Sequence, residues 1–147
     1  LEMSVENSLV KQGAAQLLGT PVDLSSVKTD AYVVAGVADH LCDWASCYRT
    51  ADLLGGTTRF VLSTSGHIAA IVNPPGNPKA KFQVSERNPE NPQRFLKEAQ
   101  QMNGTWWHDY TDWLRERCGP EVAAPSELGS GGLEPLAEAP GTYVLEK

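Results

Sequence analysis

One stretch limits the folds open to this chain more than any other: Ala31-Tyr32-Val33-Val34-Ala35-Gly36-Val37, a near-continuous apolar run without alternation. A run of that kind suits a strand buried on both faces of a parallel sheet. Apolar residues then recur at Trp44, Cys47, Tyr48, Ala51 and Leu54, the i, i+3, i+4, i+7 spacing of an amphipathic helix, and Gly55-Gly56 supplies a stop. A second β-rich run, Thr58 to Leu62, follows directly. Strand, helix, strand in this order is a βαβ unit, so the fold class is α/β, and both strand ends reach one edge of a parallel sheet. Asp39 lies just past the first strand and His67 a few residues past the second. Open α/β sheets place their ligands at that edge.

The remaining segments are less regular. Val22 to Val27 reads as a short edge or turn element, and Asn73-Pro74-Pro75-Gly76-Asn77-Pro78 is a loop, because its prolines lack donors and restrict their predecessors. Helical character is expected over Pro92 to Met102, with Phe95, Leu96 and Ala99 on one side. A stronger amphipathic helix is expected over Trp106 to Arg117, docked on the sheet through its aromatics. Beyond Gly119 the chain turns to Pro, Gly, Ala and Glu, including Ser130-Gly131-Gly132, and no periodicity survives. The division expected is therefore 1–118 as a folded portion and 119–147 as an extended tail. A first residue of leucine, and only a weak helical pattern up to Gly13, read as a piece of something longer.

Charge and cysteine usage exclude several function classes. Twelve Lys plus Arg against eighteen Asp plus Glu give a net charge of -6, with no basic run to neutralise a phosphate backbone, so nucleic acid is not an expected partner. The longest apolar stretch, Ala31 to Ala38, is less than half of the roughly 20 residues a membrane span needs, and no secretory leader pattern is present. Cys42, Cys47 and Cys118 form no C-x-x-C pair. Neither a disulfide framework nor a zinc site is expected, His108 has no partner at metal-ligand spacing, and a reducing cytoplasm fits. Cys42 and Cys47 lack flanking elbow glycines and are read as buried structural residues.

The residues most able to carry chemistry are Gly36-Val37-Ala38-Asp39-His40 and Ser65-Gly66-His67. A carboxylate that accepts the Nδ1 proton of an imidazole fixes its tautomer and leaves Nε2 as general base for a nucleophile. That is the second half of a triad, yet no G-x-S-x-G nucleophile elbow occurs in the chain. Two plainer readings stand beside it: an aspartate at a strand end is often the cap of the next turn, and a loop histidine is often a surface group.

A family resemblance rests on Leu18-Gly-Thr-Pro-Val-Asp-Leu24, Ala35-Gly-Val-Ala-Asp-His-Leu-Cys-Asp-Trp44, Cys47-Tyr-Arg49, Phe60-Val-Leu-Ser63, Ser65-Gly-His-Ile68, Asn73-Pro-Pro-Gly-Asn-Pro-Lys79, Trp106-Trp107 and Pro140-Gly-Thr-Tyr-Val144. In order and nearly end to end, these strings resemble the C-terminal part of the polyhydroxyalkanoate synthases, most closely the classes that act without a second subunit type. The resemblance implies the C-terminal part of an α/β-hydrolase fold and polymerisation of (R)-3-hydroxyacyl-CoA into polyester with release of CoA. It also implies a cytoplasmic enzyme at polymer granules, a homodimer at full length, and no cofactor. Asp39 and His67 match the family's catalytic aspartate and histidine, while its cysteine nucleophile, in a G-x-C-x-G elbow, has no counterpart here and is expected upstream of Leu1. The isolated chain is accordingly expected to be inactive. His40 and Trp44 are candidate substrate-binding residues. Asp43 stands where the family commonly has proline, a departure expected to loosen the start of the following helix. Two other readings are an esterase or depolymerase of the α/β-hydrolase type and a non-catalytic module that binds granules or a partner.

Overall fold

The computed structural model describes residues 5–127, 129 and 131–146. The chain divides into two compact units, Leu1–Leu114 and Arg115–Lys147. The first opens with a one-turn 3-10 helix at Ser8–Val10 and a two-residue antiparallel pair, β1 (Gln16–Leu17) with β2 (Thr20–Pro21). Part of the weak N-terminal helical pattern, 1–4, lies outside the described residues. The expected edge or turn element at 22–27 is a 3-10 turn, Leu24–Ser26, capped by Asp23.

The main sheet has four strands: β3 (Ala31–Gly36), β4 (Thr58–Ser63), β5 (Lys81–Val84) and β6 (Gln100–Asn103), in that spatial order. β3 and β4 pair in parallel, as the βαβ reading requires, with Ala31 opposite Thr58 and Gly36 opposite Ser63. The sheet as a whole is mixed rather than parallel, because β5 and β6 each run antiparallel to their neighbour. The polyproline segment 73–78 turns the chain back on itself with no helix long enough to carry it across the sheet, so β5 returns beside β4 in the reverse direction.

Two expected helices are corrected. The crossover between β3 and β4 breaks at Arg49 into α1 (Trp44–Tyr48) and α2 (Thr50–Leu53). The helix expected to reach Met102 stops at Glu98: after α3 (His67–Val72) in chain order, α4 covers Pro92–Glu98, and Ala99 is extended. Gln100 to Asn103 instead completes the sheet by pairing with β5. The sequence there, Gln-Gln-Met-Asn, is exposed throughout and carries no alternation to reveal a strand. The last helix, α5 (Trp107–Arg115), forms where expected.

Period-2 alternation divides the core between the sheet's two faces. Ala35, Phe60 and Leu62 meet Tyr48 and Phe95 from α1 and α4 on one face; the rings of Tyr48, Phe60 and Phe95 lie 4.8–5.2 Å apart. Val61, Phe82 and Val84 meet Trp106 on the other, with Tyr32, Val34, Trp107 and Tyr110 packed around them. β4 is thus buried on both faces, whereas most of β3 is only half-buried. Asp109 of α5 accepts hydrogen bonds from Arg59 Nε at 2.8 Å and Tyr32 Oη at 2.7 Å, tying that helix to β3 and β4.

The second unit is largely exposed; its regular structure among the described residues is one 3-10 turn, Tyr143–Leu145. Leu128 and Ser130, within the expected tail, lie outside the described residues. No helix among the described residues is long and apolar enough to cross a membrane.

Candidate active site

Two loops leave the parallel pair at the same edge. The ladder continues beyond the strands through Val37 N to Ser63 O at 2.9 Å and Ala38 N to Ser65 O at 3.1 Å. Their approach is so close that a Cβ on Gly66 would stand 2.8 Å from the Ala38 carbonyl oxygen, and one on Gly36 would stand 2.7 Å from Ala70 Cβ. Glycine at both positions is a steric requirement for bringing the loops together.

His67 is the first residue of α3, directly after Gly66. The far end of that helix is held by two indoles: Trp106 Nε1 donates to Ala70 O at 2.9 Å and Trp107 Nε1 to Val72 O at 3.0 Å. Carbonyls in the last turn of a helix lack intrahelical partners, so the tryptophan pair satisfies them and fixes the helix that carries His67.

Asp39 and His67 meet. His67 Nδ1 lies 2.9 Å from Asp39 Oδ2. The other carboxylate oxygen, Oδ1, accepts the backbone N–H of Leu41 at 2.8 Å and of Cys42 at 2.9 Å. The turn-capping role and the pairing role therefore coexist in one residue, on different oxygens. The Cys42 amide, with added contributions from His67 and the Leu41 amide, outweighs desolvation and holds the Asp39 carboxyl down to about 2. The Asp39 side chain is 8% exposed and that of His67 43%, so the carboxylate is sheltered beneath an imidazole open to the surface.

The other sequence candidates are less involved. His40 is exposed and makes no hydrogen bond among the described residues. Trp44 is half-buried against the first core face, which gives it a packing role. Asp43 tightens the start of α1, contrary to expectation: its carboxylate accepts the Ser46 N–H at 2.9 Å, as a helix cap does. Cys47 packs against the core, and burial pushes its thiol up. Cys42, read as buried, is exposed, and its Sγ stands with Asp39 and His67 in a group whose ligand atoms lie within 4.8 Å of one another. Three residues on two loops make up that group, so no local cysteine–histidine spacing announces it.

An α/β fold that pairs an aspartate with a histidine at the ends of adjacent parallel strands has the geometry to fix an imidazole tautomer and leave its other nitrogen free to exchange a proton. No protein-family model matches the chain, but individual proteins do. It is 45% identical over 96% of its length to poly(3-hydroxyalkanoate) polymerase 2 of Ectopseudomonas oleovorans and 44% identical over 100% to polymerase 1 of the same organism. It is 37% identical over 97% of its length to the poly(3-hydroxyalkanoate) polymerase subunit PhaC of Cupriavidus necator. By sequence, then, the chain belongs with the C-terminal region of the poly(3-hydroxyalkanoate) polymerases. It spans about a quarter of the length of these relatives, 24–26%.

Proposed function

We propose that this chain is the acid–base portion of a poly(3-hydroxyalkanoate) polymerase with an α/β-hydrolase fold, residues 1–118 forming part of the catalytic domain and 119–147 its tail. The observation that carries this reading is the 2.9 Å pairing of Asp39 with His67 at the shared strand edge. The nucleophile is a cysteine supplied from upstream of this chain. His67 Nε2 takes the thiol proton, the thiolate attacks the thioester carbonyl of an (R)-3-hydroxyacyl-CoA, and the departing CoA sulfur takes the proton back from the imidazolium. The hydroxyl of a second acyl unit then gives up its proton as its oxygen attacks the enzyme-bound thioester; the acyl C–S bond breaks, an ester bond joins the two units, and the departing cysteine sulfur recovers the proton.

Of the two groups able to accept that second proton, His67 is favoured. Both Asp39 oxygens are already engaged, and its carboxyl, held down to about 2, is a weak base. Names of the matched relatives favour polymerisation over the hydrolysis of an esterase or depolymerase and over a purely binding module. A homodimer located at cytoplasmic polymer granules belongs to the same proposal and rests on the family resemblance.

The test is His67→Gln in the complete polymerase, read as CoA release from 3-hydroxybutyryl-CoA. Loss of detectable release is expected, with His40→Ala and Trp44→Phe retaining most of it. The 147-residue chain alone should release none, having no elbow thiol. Near-normal release by the His67→Gln enzyme, or release by the isolated chain that survives replacement of Cys42, Cys47 and Cys118, overturns the assignment.

A further inference from the structure

We propose that Asp39, Cys42 and His67 form a binding site for a thiophilic divalent cation, Zn2+ being the best match, which shuts off the acid–base pair when filled. Among the described residues these three are the one group of three metal-capable side chains whose ligand atoms cluster, all within 4.8 Å. Carboxylate, thiolate and imidazole are each ordinary zinc ligands, with bonds of roughly 2.0–2.3 Å that put neighbouring ligand atoms about 3–4 Å apart in a tetrahedral shell. The Asp39–His67 separation of 2.9 Å is already close to that range. Cys42 is exposed, so rotation about its χ1 can bring Sγ in without moving packed atoms. A zinc ion held by three protein ligands keeps its fourth position for water.

The site is organised before any ion arrives. The Cys42 and Leu41 amides both donate to Asp39 Oδ1, which folds the turn so that the Cys42 side chain lies beside the carboxylate. Oδ2 is aimed at the imidazole by a separate contact. Asp39 and the turn that carries Cys42 are therefore held in place without the cation, and His67 already stands beside the carboxylate, which reduces the ordering cost of binding.

Binding releases the Cys42 thiol proton to solvent as the thiolate ligates, and ligation through Nδ1 moves the neutral ring's proton to Nε2, with no net change on the imidazole. A neutral imidazole has one basic lone pair, and a ligated His67 gives it to the metal whichever nitrogen is used. With that lone pair occupied, His67 cannot accept a proton. Inhibition thus rests on the acid–base role proposed above; cation binding does not.

The complete polymerase is the test object, and Cys42→Ser and Cys47→Ser made in it separate Cys42 from the other thiols. Co2+ serves as spectroscopic probe, because cobalt–thiolate ligation gives a charge-transfer band in the near ultraviolet. The expected result is one equivalent of Co2+ bound with that band, displaced by Zn2+. Cys42→Ser should abolish the band and weaken Zn2+, measured against a chromogenic indicator, at least tenfold, whereas Cys47→Ser leaves both unchanged. Cys42→Asp keeps an anionic ligand and should bind Co2+ without the band. Circular dichroism verifies the fold of each variant. Absence of the band in the unsubstituted polymerase, or its persistence in Cys42→Ser, overturns the site. The acid–base reading is judged separately: a polymerase that binds Co2+ through Cys42, together with a His67→Gln variant that keeps its turnover, would uphold the site and overturn only the catalytic role.

Discussion

Replacing Asp39 by asparagine should leave the fold intact and reverse the tautomer of His67. The carboxylate uses one oxygen for two amide donors, at 2.8 and 2.9 Å, and the other for Nδ1 at 2.9 Å. Asparagine has one side-chain oxygen, and the two amides claim it. Its NH2 group then faces Nδ1 as a donor, so Nδ1 must accept and the ring proton moves to Nε2, the nitrogen required as base. In serine triads that reversal costs about 10^4-fold in turnover. A thiol softens the effect on the first step, because a few per cent is already ionised near neutral pH without help; acylation should therefore slow by only about 10–100-fold. The attacking hydroxyl in elongation has no such reserve and should show the full loss of roughly 10^4-fold. Rapid-quench measurement of the first CoA released per site, against steady-state release, separates the two steps in the complete polymerase. Steady-state release within tenfold of the unsubstituted enzyme, at unchanged circular dichroism, would refute the tautomer argument.

Other expectations follow from the same geometry. Gly66→Ala places a methyl 2.8 Å from the Ala38 carbonyl oxygen, a backbone atom that cannot swing aside. It should separate the two loops, cost about 1–3 kcal/mol by overpacking and cut CoA release, measured by thermal melts and activity together; a stable, fully active variant would contradict the close-approach account. Phe60→Ala empties the centre of the Tyr48–Phe60–Phe95 cluster, where Phe60 is 0% exposed. A loss of about 3–5 kcal/mol is expected in urea unfolding, and a loss below 1 kcal/mol would show that this face is not the core. Asp39, shifted from 3.8 down to about 2, binds protons more weakly folded than unfolded. It therefore contributes stability that is complete above the unfolded value and is lost as pH falls from about 4 through about 2. A carboxyl-carbon NMR titration of Asp39 should place its midpoint well below 3.8, and a midpoint at or above that value would remove the amide-capping explanation.

The βαβ unit, the loop at 73–78 and the docking of the tryptophan helix are legible in the sequence, as is the placement of Asp39 and His67 at neighbouring strand ends, where a pair, a turn cap and a surface group all stayed open. Each follows from a local signal: an apolar run, a proline cluster, a helical period, or two polar residues at the ends of adjacent strands. The tertiary structure alone decided the rest. Gln100 to Asn103 became a strand because β5 offered it an unpaired edge, a long-range opportunity that an exposed Gln-Gln-Met-Asn segment does not announce. The run at 31–37 reads as buried on both faces, but most of β3 is only half-covered here, since burial depends on neighbours and not on the strand's own residues. Asp43 became a helix cap through Ser46, which the departure from proline did not suggest. Cys42, read as buried, is exposed beside Asp39 and His67. Sequence spacing records which residues share a helix face or a strand end. Where a thiol on one loop lies relative to an imidazole on another depends on how closely two glycines let those loops approach, and that distance exists only in the folded chain.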